Sequence, residues 1–444
     1  MGSVVILGPR RFNAVDSTSA IPIQHVASPL SLHMVMILEL LALSALAVGE
    51  WSQFRGPASD GQYAGPATAT AWSETQTIAW KAPIAGLGWS SPVVADGKVL
   101  LTTAVPVGEG LSLRTLALDV QTGKTLWDRE IRAVEKAPAI HAKNSHASPT
   151  PIIRDGAVFV HFGPLGMARL KLSDGAMQWT CFELDYPPLH GSGGSPILHG
   201  DKLVIVCDGS RDPFVAAIDT ESGKVVWKTP RSVKARLTHS FVTPTVTQVA
   251  GEMQVLAPGP DHMAAYNLKT GVERWRVLAP GWSVVPQPAI GFGMVIYNHD
   301  YDNPELMAVK LGGQGDVTGT HVVWRLKRAA PSTPSPLLIG EDLYIVSDNG
   351  VASCVNARTG EAYWSARVGG NYSASPLLIN DRILLLNETG LATWLKPGHT
   401  FTVLGTNELP GRTLATPACA DGAIYLRTDE ALYKVARLSE ACES

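Results

Sequence analysis

Short apolar runs separated by tight polar turns mark most of this chain after residue 88. The stretch GWSSPVVADGKVLL (88–101) shows the unit: serine and proline, two valines, Asp-Gly, then a second apolar run. Two such runs around a turn that supplies positive φ predict a β-hairpin. The runs are too short, and lack the 3.6-residue period, for amphipathic helices. The phrase returns as ASPTPIIRDGAVFV from Ala147, GSPILHGDKLVIV from Gly194, PSPLLIGEDLYIV from Pro334, ASPLLINDRILLL from Ala374 and ATPACADGAIYLR from Ala415. With proline as the marker, it falls at Pro92, Pro149, Pro196, Pro244, Pro288, Pro336, Pro376 and Pro417, at intervals of 40 to 57 residues. The fourth hairpin is more polar and the fifth turns on Gly-Phe-Gly, so both signals are weaker.

A second phrase follows the first: ALDVQTGKTLW (117–127), AIDTESGKVVW (217–227), AYNLKTGVERW (265–275) and CVNARTGEAYW (354–364). A small residue, an Asp or Asn, a Thr/Ser-Gly turn and a closing Trp predict another hairpin; Trp179 and Trp324 end looser copies. A Trp there can bury roughly 200 Å² between neighbouring units while its N–H finds a carbonyl. Two hairpins make a four-stranded unit, and strand-built units with a period in the forties predict propeller blades. The expected fold is therefore all-β, an eight-bladed β-propeller of four-stranded antiparallel blades. Trp80, in TQTIAWKAP, precedes the first proline phrase and has no hairpin of its own. The last unit, from Thr416, lacks a Trp, so the N-terminal strand is expected to complete it and close the ring. The seventh unit also lacks its closing Trp, and Phe401 is the candidate substitute.

Charged residues make up 17% of the 444 residues, the net charge is −3, and no Lys/Arg block occurs. Nucleic acid is therefore not an expected partner. The five cysteines (Cys181, Cys207, Cys354, Cys419, Cys442) include no CxxC pair, which leaves metal and haem attachment without support. Cys354 and Cys419 align with small or apolar core positions and read as buried thiols; a Cys181–Cys207 disulfide stays open. Near the N-terminus, MVMILELLALSALAVGEW (34–51) resembles a signal-peptide core ending in small residues. Glu39 interrupts it and the basic Arg10 and Arg11 lie far upstream, which fits a true start at Met34 or Met36. The alternative is an unstructured tail with a short apolar segment. The expected organisation is a leader and tail over 1–50, the propeller over 51–437, and a C-terminal tail over 438–444. The leader implies an exported, periplasmic or envelope-associated protein with no transmembrane span once it is removed, and a monomer is expected.

These phrases, together with WSQFRGPASDG (51–61), resemble the PQQ-like repeat of quinoprotein-dehydrogenase-type propellers of exported bacterial proteins. That family includes dehydrogenases using pyrroloquinoline quinone (PQQ) and calcium, and non-catalytic members such as an outer-membrane-assembly lipoprotein. The dehydrogenases carry a vicinal disulfide, and no Cys-Cys occurs here; the lipoprotein has a Cys after its signal, and ALAVGEW has none. The resemblance thus implies a non-catalytic exported binding or scaffold protein with no cofactor, or alternatively a PQQ- and calcium-dependent oxidoreductase acting on alcohols or sugars.

In a propeller, the loops that enter the innermost strands converge on the axial channel. Here they carry Trp89, Lys143, Asn144, His146, His190, His239, Trp282, Tyr372 and Arg412. Aromatic faces beside cations suit an anionic ligand or an acidic protein segment. A solvated channel lining with no ligand is the plain alternative. No His pair at metal-binding spacing occurs, and the acidic stretches NHDYDNPE (298–305) and GPDHM (259–263) lack the alternation of a calcium loop.

Overall fold

The computed structural model describes residues 49–437; nearly all of the expected leader, the expected tail over 438–444 and Cys442 lie outside them. Each inner strand begins directly after a proline, which has no N–H to offer a ladder. In the first blade the strands run Val93–Ala95, Lys98–Val107, Gly110–Asp119 and Thr125–Val134, all antiparallel. Seven further sheets of this kind follow, and the inner strands of most adjacent blades touch one another. The marker proline of the second blade is Pro151 rather than Pro149, because its inner strand is Ile152–Arg154.

The sequence repeat has three physical causes. The residue before each marker proline is Ser or Thr, save Gln287, and in six of these seven (all but Ser91) its hydroxyl accepts a backbone N–H from the preceding blade. Ser91 N–H donates to Thr150 Oγ1 (3.1 Å), Thr150 to Ser195 Oγ (2.9 Å) and Ser195 to Thr243 Oγ1 (3.1 Å). Gln287, Ser335 and Ser375 donate likewise to Ser335, Ser375 and Thr416. The closing Trp then docks on the next blade: Trp80, Trp127, Trp227 and Trp324 donate to the carbonyls of Val120, Leu172, Leu268 and Ala357 at 3.0–3.1 Å. Finally, the Thr/Ser-Gly glycine lies under that ring. A Cβ on Gly271, at φ +73°, would sit 2.6 Å from Trp227.

The ring closes as expected. Ile78–Pro83 pairs antiparallel with Ala431–Ala436 and completes the eighth blade. At this seam Arg427 does the bridging, donating to the Ser90 carbonyl (3.2 Å) and Oγ (2.6 Å). In the seventh blade the large and small residues are exchanged: Trp394, on the third strand, faces Gly405 on the outer one. Trp72 packs edge-on against Trp394 at 5.8 Å, while Phe401 packs on Trp364 of the sixth blade. Phe401 thus extends the sixth blade's cover, and the seventh finds its Trp on another strand.

The segment over 51–63 runs across one end of the axial channel. Trp51 bridges Val94, and Ser52 O accepts from Ile153 N–H (2.8 Å). Arg55 reaches the Pro336 carbonyl (2.8 Å), Gln62–Tyr63 pairs in parallel with Leu377–Ile379, and Tyr63 Oη accepts from Gly422 N–H (2.8 Å). Blades one, two, six, seven and eight are tied together by this one stretch. Cys181, Cys207, Cys354 and Cys419 are buried free thiols, so no Cys181–Cys207 disulfide forms.

Candidate functional site

The plug leaves a channel that is blind at one end and open where the loops enter the inner strands. It contains a chamber of about 250 Å³. Phe54, from the plug, forms its floor, and the Ser/Thr crown forms its wall. An oxygen that accepts a backbone N–H keeps its own O–H proton to donate elsewhere. Thr150, Ser195, Thr243, Ser335, Ser375 and Thr416 are all in this state and all line the chamber.

The loop residues singled out in the sequence divide into two groups. Trp89, Lys143, Asn144, His190 and Trp282 line the chamber. Trp89 is 7% exposed, its indole N–H has no partner, and Arg412 lies over its ring at 5.5 Å. Asn144 pins two loops by donating to the His190 carbonyl (2.8 Å) and accepting from Ser148 Oγ (2.6 Å). His239 sits behind His190 on a short parallel pairing, His239–Ser240 with Ser283–Val284, which also seats Trp282. His146 and Tyr372 are not brought to the chamber. His146 is half-buried beside Pro138, and Tyr372 is fully buried with Leu337 and Leu395 in the packing of the sixth and seventh blades.

Aromatic rings form a continuous shelf on one side of the mouth. His141 and His190 lie 5.4 Å apart, His190 and His239 5.8 Å, His239 and Trp282 6.1 Å, and Trp282 and Tyr301 6.2 Å. Burial, then the neighbouring His141, lowers the pKa of His190; burial, then His190, lowers that of His239. Both shifts favour neutral imidazoles. Trp282 donates to Asp302 Oδ2 (2.8 Å), which fixes its face toward the chamber's edge. Among the described residues no His, Cys, Asp and Glu are grouped to hold a metal. The acidic stretch over 298–305 instead satisfies itself: Glu305 holds His299 (2.7 Å) and Arg325 (2.9 Å).

His141, Tyr301, Phe54 and Glu388 belong to the site yet carried no sequence mark. Phe54 and Tyr301 lie inside WSQFRGPASDG and NHDYDNPE, but nothing local sets their direction. Glu388 lies in a hairpin turn of the seventh blade, far from any proline loop. Its Oε1 takes the Lys143 ammonium at 2.7 Å and the Ser373 hydroxyl at 2.7 Å.

Residues 62–181 and 183–383 match the sequence model of a family described as outer membrane protein assembly factor BamB. The chain belongs to this family. The match takes in Lys143, His190, His239 and Trp282 and stops within the seventh blade, short of Arg412. An outer membrane protein assembly factor BamB from Burkholderia pseudomallei (strain K96243) is 25% identical over 206 residues, 44% of this chain and 46% of that protein. The chain thus spans about half the length of that relative. The crystal structure of BamB from Moraxella catarrhalis superposes with a TM-score of 0.55 at 14% identity, covering 77% of this chain and 95% of that one. A europium-containing methanol dehydrogenase gives 0.65 at 12% identity, covering 88% and 92%. At such identities these structures share the fold. No helix among the described residues is long and apolar enough to cross a membrane.

Proposed function

We propose that this chain is a non-catalytic, exported binding scaffold of the bacterial envelope, serving outer-membrane protein assembly as its relatives' names indicate. Its binding site is the open mouth of the blind channel, suited to an anionic ligand or an acidic partner segment. One observation carries the reading: among the described residues that line the chamber none is Asp or Glu, and the Glu388 carboxylate beside it is already held by Lys143 and Ser373. An alcohol oxidation needs a general base near the reacting hydroxyl, and a calcium ion needs oxygen ligands, usually carboxylates. The chamber's side chains offer mainly hydroxyl donors, imidazoles, indoles and one ammonium. This donor set does not fit PQQ with calcium.

The test uses tagged chain and a Lys143→Ala/Arg412→Ala double variant, each retained on resin and exposed to detergent-solubilised envelope. Outer-membrane assembly components should be recovered by the intact chain, less so as salt rises, and poorly by the double variant. Equal recovery by both would move the site off the mouth. In parallel, dye reduction by chain supplied with PQQ, calcium and alcohols or sugars should stay at the blank rate; turnover would overturn the non-catalytic reading.

A further inference from the structure

The loop over 135–151 is the longest inter-blade connection at the mouth, and it does more than enter the second blade. Its tip crosses the opening. His141 N–H donates to the His190 carbonyl (3.3 Å) on one side. On the other, Lys143 reaches Glu388 in the seventh blade, three blades round the ring. The Lys143 side chain is 35% exposed and that of Glu388 14%, so water reaches the pair. Such a pair is weak and exchangeable.

Beneath this strap the chamber is rich in donors with nothing to donate to. The six crown hydroxyls use their oxygens as acceptors and retain their protons. The buried Trp89 indole N–H has no partner. These crown and indole donors have no carboxylate of the chamber lining to meet, the rim carboxylate Glu388 being held by Lys143 and Ser373, so they call for an acceptor from outside, and the apolar faces of Trp89, Phe54 and Phe241 call for a body that is not fully polar. Among the described residues that line the chamber the one ammonium, Lys143, is already occupied by a carboxylate of the protein itself.

We propose that the chamber takes a small, single-ring or short-chain organic carboxylate, and that Glu388 is a resident competitor which this ligand displaces from Lys143. The proposal rests on the mouth being the binding site. The ligand's carboxylate takes the place of Glu388 Oε1 at Lys143 and draws further donors from the crown, while its apolar body lies against the indole and phenyl faces. Ser373, which donates to the same Oε1, remains to hold Glu388 after the exchange. Binding and release of the strap from the seventh blade are then one event.

The probes are benzoate and its neutral isostere benzamide, titrated calorimetrically into the full chain and into Glu388→Gln and Lys143→Ala variants. Glu388→Ala is measured alongside, because it removes the acceptor without leaving an amide. Melting curves establish that each variant is folded. Releasing Lys143 from a pair of this exposure should tighten benzoate binding by about fivefold in both Glu388 variants and leave benzamide unchanged. Lys143→Ala should abolish the preference for benzoate over benzamide. Benzoate binding that is equal or weaker in both folded Glu388 variants overturns the competitor role while leaving the mouth as a binding site. Failure of the intact chain and all variants to bind either probe overturns the proposal and the small-ligand form of the mouth reading together.

Discussion

Trp227 illustrates what a single residue contributes. Its ring is 8% exposed, its N–H holds the Leu268 carbonyl at 3.0 Å, and Gly271 lies against its face. Trp227→Ala should cost about 3–5 kcal/mol by urea titration, from lost burial and the cavity left behind; a loss under about 1 kcal/mol would place the ring outside the packing. A second residue-scale expectation concerns acid. Burial holds the pKa of His161 at about 4, below its ordinary value of 6.5. Between those two values the unfolded chain binds a proton that the folded chain does not. This contribution to stability is therefore fully present above pH 6.5 and lost as pH falls toward 4. Melting temperatures measured across that window should fall with pH, and His161→Phe should flatten the slope. An unchanged slope would show that His161 is not the group responsible.

The elements were legible because each rests on a short-range rule. Asp119 shows one such rule: its carboxylate accepts from the Thr122 N–H (2.7 Å) and hydroxyl (2.7 Å), which fixes the turn ahead of Trp127. Repeated with Asp219 and Asn267, that rule makes the blade visible without coordinates. The seventh blade was less readable because its Trp moved to the facing strand, conserving volume but not sequence position. The Ser/Thr crown gives a prediction at this scale. Thr150→Val keeps the shape but leaves the buried Ser91 N–H without an acceptor, and should cost about 1–3 kcal/mol in denaturant titration. A neutral effect would mean that a water replaces the hydroxyl at no cost. The closing strand gives another: deletion of residues 51–85 removes the plug and bares the edge at Ala431–Ala436. Aggregation or a large drop in melting temperature is expected, and a deletion variant that melts like the intact chain would contradict closure.

For the whole molecule, topology brings distant loops to one opening, and that much followed from the repeat alone. Blades in phase place Trp89, Lys143, His190 and Trp282 around one chamber although nearly 200 residues separate the first from the last. Side-chain direction within a loop did not follow. His146 turns away three residues after Lys143, and Tyr372 folds into the core, because loop φ/ψ values and neighbouring packing set those directions. Nor did the plug, whose contacts span more than 300 residues of sequence, as in Tyr63 with Gly422. The molecule that results is a closed ring with its own N-terminal segment across one end, and an opening lined by donors at the other. In the proposed function, partners meet it at that opening. The most direct measurement places photoreactive benzoylphenylalanine at Leu189, exposed beside His190 on the mouth, or at Val226, exposed on the outer edge of the third blade. After irradiation in intact envelopes, crosslinks to outer-membrane assembly components are expected from position 189 and not from position 226; crosslinks from 226 alone would contradict the claim.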